Sequence, residues 1–235
     1  MRRRRPIWFV AGAIILAIVG VGGVLALRIF GGDAPAEAAL TSDQDTAGSG
    51  GSAQGSWTVD MTSGSLDDAT STFAGYRIQE EVVGVGANTA VGRTKDVTGT
   101  LMIDGTAITS LSVEVDMTTL VSDDDRRDGQ LRTRGLETDT FPTATFQLTE
   151  PIEFAEEPAQ GETLTTEAIG ELTVHGVARE VTVPVEARWT GDQIEVVASF
   201  DIALADYEID PPTGFLVLSV ADQGTIELHL LFARA

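Results

Sequence analysis

The chain has 235 residues, 43% hydrophobic and 22% charged, enough apolar material for one globular domain and too much for a disordered chain. With no Cys it can form neither disulfides nor thiolate metal sites and has no cysteine nucleophile; two His, two Tyr and three Trp are too few for a multi-His metal centre or an aromatic nucleic-acid platform. A formal charge of −21 argues further against nucleic acid, because phosphate binding needs clustered Lys and Arg.

That charge is polarised along the chain. Five of the 15 basic residues (Arg2, Arg3, Arg4, Arg5 and Arg28) precede position 31, and all 36 acidic residues follow it, so residues 31–235 hold ten bases against 36 acids, a charge of −26. From Ile7 to Phe30 the sequence is almost continuously apolar. As a helix, 24 residues at about 1.5 Å each span roughly 36 Å, which crosses a bilayer. The four arginines in the basic tail 1–6 predict a cytoplasmic N-terminus and an exported remainder, by the positive-inside rule. The competing reading is a cleaved signal peptide, with Ala34-Pro35-Ala36 as the small-residue site. Against it stand the length of the run, Arg28 between run and site, and Pro35 within the site. Residues 31–56, rich in Gly, Ala, Ser and Asp, predict a flexible tether with an r.m.s. reach of roughly 25 to 30 Å.

From Trp57 to Ala235 the dominant period is two. Tyr76 to Val83 is a mixed case. Cleaner alternation follows in Val97/Gly99/Leu101/Ile103, Leu111/Val113/Val115/Met117, Ala144/Phe146/Leu148, Gly170/Leu172/Val174, Val181/Val183/Val185/Ala187/Trp189, Ile194/Val196/Ala198/Phe200/Ile202/Leu204 and Ile226/Leu228/Leu230/Phe232. These are eight candidate strands with one apolar and mostly one polar face, the pattern of antiparallel sheet solvated on one side. Asp104-Gly105, His175-Gly176 and Gly191-Asp192 mark tight turns. Pro184, on a polar face, predicts an edge or a locally unpaired position. The only helix expected in this region is short, within Asp123 to Gly135, with Asp123 or Asp124 as cap and Gly135 as stop. Such strands fit either a two-sheet sandwich or an up-and-down barrel, and period alone does not choose.

Three segments in order carry a family resemblance: Arg127-Asp128-Gly129-Gln130-Leu131, then Phe141-Pro142-Thr143-Ala144-Thr145-Phe146, then Gly170-Glu171-Leu172-Thr173-Val174-His175-Gly176-Val177. With the Trp57-Thr58-Val59-Asp60 start and the Val220-Ala221-Asp222 to Phe232 close, residues 57–235 resemble the YceI-like, polyisoprenoid-binding family. The resemblance implies an all-β, eight-stranded, antiparallel lipocalin-like barrel with one or two short helices, exported in bacteria, whose apolar bore holds a long isoprenoid or quinone-like chain. Two departures stand out. The usual His-Ser pair after the Trp57 segment is replaced by Ser63-Gly64 nearby, and Gln130 stands where His is frequent. Any head group those histidines meet would be met differently here.

Within such a barrel Val113, Val115, Met117, Val183, Val185, Phe200 and Leu228 are the expected bore residues, although the same side chains would equally fill a dry core. Arg126 and Arg127, with Arg132 and Arg134, are candidates for a phosphate head group, weighed against pairing with Asp123 to Asp125 and Asp128. The acidic run fails the calcium-loop order, because counting from Asp123 position 6 is Asp128 and position 12 is Arg134; a weak surface site for a divalent cation stays open. His175 is expected to hydrogen-bond backbone at a loop, and His229, between Leu228 and Leu230, to face solvent. No nucleophile, base or metal constellation is spaced for catalysis, and no cofactor is expected. The expectation is a membrane-anchored lipid-binding barrel; the rivals are an extracytoplasmic β-sandwich that binds protein partners and an isoprenoid or quinone enzyme.

Overall fold

The computed structural model describes residues 34–41, 51–66, 68–214 and 216–235. The apolar run 7–30 lies outside these residues, and among those described no helix is long and apolar enough to cross a membrane.

Among the described residues twelve strands and one α-helix follow in order: β1 (Gly55–Val59), β2 (Phe73–Val82), β3 (Gly86–Thr94), β4 (Val97–Asp104), β5 (Ala107–Asp116), β6 (Val121–Ser122), α1 (Asp125–Thr133), β7 (Thr143–Leu148), β8 (Ile152–Glu153), β9 (Thr163–Val174), β10 (Val177–Trp189), β11 (Gln193–Ala203) and β12 (Val217–Arg234). All pairings are antiparallel, and the path β1-β4-β5-β7-β9-β10-β11-β12 closes on itself because Trp57 to Val59 pair with Phe232 to Arg234. Eight strands therefore complete one closed barrel, and the sandwich alternative is overturned.

The 18-residue β12 serves two neighbours on the edge opposite β11: β2 along Val217 to His229 and β1 along its last residues. At one end the wall is completed by β1 and β4, while at the other β2, β3 and β6 continue it. The strand β3 carries Gly86, Asn88 and Gly92, which break the apolar alternation and hide it from pattern reading. Gly92 answers a local need: the Tyr76 ring lies against it, and a Cβ there would sit 2.4 Å from Tyr76 Cε1.

Turn and cap chemistry matches the expectation. His175 (φ 52°) and Gly176 (φ 73°) are both left-handed between Val174 and Val177, as a two-residue primed hairpin turn requires. In α1 the Asp124 carboxylate accepts the Arg126 N–H at 2.9 Å, and Gly135 (φ 66°) follows the last turn. Pro184 sits where β10 leaves β11: pairing with β11 covers Val185 to Trp189, while pairing with β9 runs from Val177 to Arg188. A residue without an N–H is tolerated there because one side of the strand has no ladder to break.

Two expectations need correction. His229 is completely buried on the outer wall, its Nδ1 2.8 Å from Ser71 O and its Nε2 2.9 Å from Glu195 Oε1. Alternation placed its side chain outward correctly, but outward is not solvent here, because the loop before β2 and residues 34–41 cover that wall. The segment read as tether also includes ordered contacts. Ala53 is buried and accepts the Trp57 indole N–H at 2.9 Å, β1 begins at Gly55, and residues 34–41 lie along the barrel exterior.

Candidate functional site

One end of the barrel is filled. Trp57, Val97, Trp189, Ile194 and Phe232 pack together there, with Trp57, Val97 and Phe232 excluded from solvent altogether. Above this plug the inward side chains stop meeting across the axis and leave a cavity of about 560 Å³. The wall of that cavity holds all seven of the expected bore residues: Val113, Val115 and Met117 from β5 and the turn after it, Val183 and Val185 from β10, Phe200 from β11 and Leu228 from β12. Met117, Val185, Phe200 and Leu228 pack against core clusters yet are only partly buried, because they border open space rather than other side chains. This separates a bore from a dry core, whose interior is close-packed. In volume it falls within the range of small-molecule sites.

The cavity reaches the surface at the opposite end, between α1 and residues 209–214 and 216–217, where Gln130, Leu131, Pro212, Leu216 and Val217 line it. Here the lining turns polar. From β2, Tyr76 and Glu80 face inward two turns of the pleat apart, and Arg127 of α1 reaches across to place Nη2 2.8 Å from Glu80 Oε1. Its Nη1 meets Asp123 Oδ1 at 2.5 Å, and Asn88 donates to the same Glu80 oxygen at 2.7 Å. Burial opposes the charge on Arg127, but Glu80 and Asp123 outweigh it and raise its pKa. The buried Tyr76 hydroxyl, which finds no hydrogen-bond partner among the described residues, has its pKa pushed up by desolvation. Arg126 is exposed on the rim.

Arg127 thus pairs internally, and one of its partners, Glu80, comes from outside the acidic run that sequence reading set against it. Tyr76 and Glu80 escaped that reading because Tyr76 to Val83 alternates poorly. A Tyr and a Glu on the otherwise apolar face of that strand were the available signal.

The acidic run is accounted for locally. Asp123 pairs with Arg127, Asp124 caps α1, and Asp128 accepts from the Ser122 amide at 3.0 Å. Among the described residues no group of three or more His, Asp or Glu side chains converges as a metal site. At the β9–β10 turn His175 holds the loops at this end together, with Nδ1 3.0 Å from Tyr207 O and Nε2 3.0 Å from Glu137 Oε2.

A closed antiparallel barrel with one plugged end, an apolar bore and a polar rim defines a class of small-molecule-binding barrels. Within that class the chain belongs to the YceI-like domain family, whose family model matches residues 57–232. Solved structures share the fold. A polyisoprenoid-binding domain from Saccharophagus degradans is 18% identical, with a TM-score of 0.59 over 76% of this chain and 98% of that one. BcnA from Burkholderia cenocepacia is 22% identical, with a TM-score of 0.52 over 74% and 98%. The YCEI protein of Campylobacter jejuni is 16% identical, with a TM-score of 0.50 over 61% and 84%. No match was found among curated proteins.

Proposed function

We propose that this protein binds a long apolar lipid, a polyisoprenoid or quinone-like chain, in the bore of the barrel and sequesters or carries it outside the cytoplasmic membrane, to which residues 7–30 anchor it. The observation that carries this reading is the apolar cavity of about 560 Å³ above the Trp57 plug. Its driving force is desolvation: at about 0.8 kcal/mol per buried CH₂, a five-carbon unit gains roughly 4 kcal/mol before the cost of ordering the chain. Likeness of fold to the Saccharophagus degradans domain supports an isoprenoid as the chain type.

The apolar tail lies along Val113, Val115, Met117, Val183, Val185, Phe200 and Leu228, and the polar end stays at the rim. There Arg126 is exposed to meet an anionic head, while Arg127 and the Tyr76 hydroxyl stand behind it. Binding of this kind needs no reacting side chain.

The test is direct. The full chain is purified from membranes without added lipid, extracted with organic solvent, and the extract analysed by mass spectrometry. A stoichiometric isoprenoid or quinone-like lipid is the expected result. An extract with no lipid enriched over a control membrane protein overturns the proposal.

A further inference from the structure

On the outer wall, two clusters of charged side chains are buried where a barrel exterior ordinarily meets water. In one, Glu227 of β12 takes Arg77 Nε at 2.9 Å and Arg93 Nε at 2.8 Å. In the other, Glu195 of β11 takes Arg188 Nη2 at 2.8 Å and His229 Nε2 at 2.9 Å. Glu227, Arg93, Glu195, Arg188 and His229 are all less than 8% exposed. Residues 34–41 lie over both clusters without forming a regular strand, held by backbone groups of Pro35, Ala36, Ala38 and Thr41. Arg77 donates to the carbonyls of Pro35 and Ala36, and Arg93 to Ala36. The Ala38 amide donates to Glu227 at 3.3 Å. At the far end the Thr41 amide and hydroxyl donate to Glu195 at 2.7 and 3.1 Å, and Arg188 donates to the Thr41 carbonyl. Charges already paired on the wall are thereby given further partners, most of them from a peptide backbone, which helps to make their burial sustainable.

We infer that residues 34–41 are a strap that docks the N-terminal segment on the barrel wall and turns the open end of the bore toward the membrane. The direction follows from register. Pro35 and Ala36 sit at Arg77, which pairs with Thr225 of β12; Ala38 sits at Glu227; Thr41 sits at Glu195, which pairs with Leu231. The strap therefore runs parallel to β12, and its N-terminal end points toward Val217 and the rim, away from the Trp57 plug. From Phe30, the last residue of the apolar run, to Ala34 is four residues, at most about 14 Å of chain. A strapped barrel consequently presents its rim next to the bilayer, where an apolar chain can pass between lipid and bore with little exposure to water. This orientation rests on the anchor reading of residues 7–30.

The sequence has no Cys, so one introduced Cys takes one label. Full chain carrying Leu218→Cys, exposed near the rim, or Asp192→Cys, exposed at the plugged end, is labelled with a fluorescent donor and reconstituted into phosphatidylcholine vesicles containing a head-group acceptor. Energy transfer should be several-fold stronger from position 218, and adding Arg77→Gln with Arg188→Gln should abolish the difference. Equal transfer from both positions in the parent, or stronger transfer from 192, overturns the orientation. Amide hydrogen exchange of the same full chain in detergent tests the strap without a bilayer: Ala38 and Thr41 should exchange at least ten-fold more slowly than an unstructured peptide, and exchange at the unstructured rate overturns the strap. A chain that fails to associate with vesicles at all overturns the anchor and the orientation together, and slow exchange in that case shows that the anchor reading, not the strap, has failed.

Discussion

His229 Nε2 lies 2.9 Å from Glu195 Oε1 on the outside of the barrel, and both side chains are withdrawn from water. Burial opposes ionisation of Glu195, yet hydrogen bonds from His229, the Thr41 amide and Arg188 outweigh it and hold the carboxyl down at about 2, against an ordinary 4.5. A carboxyl depressed in the folded state stabilises the fold above its unfolded pKa, and that contribution drains away as pH falls toward the folded value. The stability gap between the parent and Glu195→Gln should accordingly be largest at neutral pH and close as pH drops from about 4.5 to about 2. Denaturant titrations at half-unit pH steps measure it; a gap that stays constant through that window would show that these hydrogen bonds do not favour the ionised form.

Enlarging bore residues should separate ligand from fold. Val185→Trp fills open cavity, so the melting temperature should stay within a few degrees while co-purified lipid is lost. Val115, which lines the cavity but sits closer to the plug, should lose lipid with a moderate drop in stability when changed to Trp. Val97→Trp is the control, since Val97 is fully buried in the plug outside the cavity, and overpacking there costs about 1 to 3 kcal/mol or more. Equal destabilisation at positions 97 and 185 would mean the bore is packed in solution.

Tyr76→Phe removes a buried hydroxyl with no hydrogen-bond partner among the described residues. An unmade buried hydrogen bond costs about 1 to 3 kcal/mol, so the variant should be as stable as the parent or more stable. If the hydroxyl meets the polar end of the ligand, affinity for the extracted lipid should fall several-fold while the melting temperature does not. Unchanged affinity would place the head group elsewhere.

Gly176→Ala should destabilise by about 1 to 3 kcal/mol, because the residue has φ 73° and a Cβ would sit 2.7 Å from the Phe141 ring. Thermal unfolding checks this, and a melting temperature equal to the parent's would mean that the His175-Gly176 turn relaxes freely.

Alternation and capping chemistry in the sequence by themselves determined the inward face of seven strands, a short helix capped at Asp123 or Asp124, and seven inward side chains that prove to lie among those bordering the cavity, while β1, β3, β6 and β8 carry no alternation that shows them. These are local consequences of a period of two and of capping chemistry, so they survive without knowledge of the partners. What sits opposite each face was decided only by the tertiary structure. Closure of β1 on β12 and the plug of Trp57 against Phe232 join residues about 175 positions apart, and that closure is what turns apolar faces into a bore rather than a dry sandwich core. The same limit explains His229. Its alternation says outward, but whether outward means water depends on Ser71 and on the Thr41 strap, which reach it from more than 150 positions away. Composition read residues 34–41 as part of a tether spanning 31–56, because the Gly, Ala, Ser and Asp that dominate that stretch carry little apolar surface to bury. The strap docks mainly through backbone amides and carbonyls, which composition does not reveal.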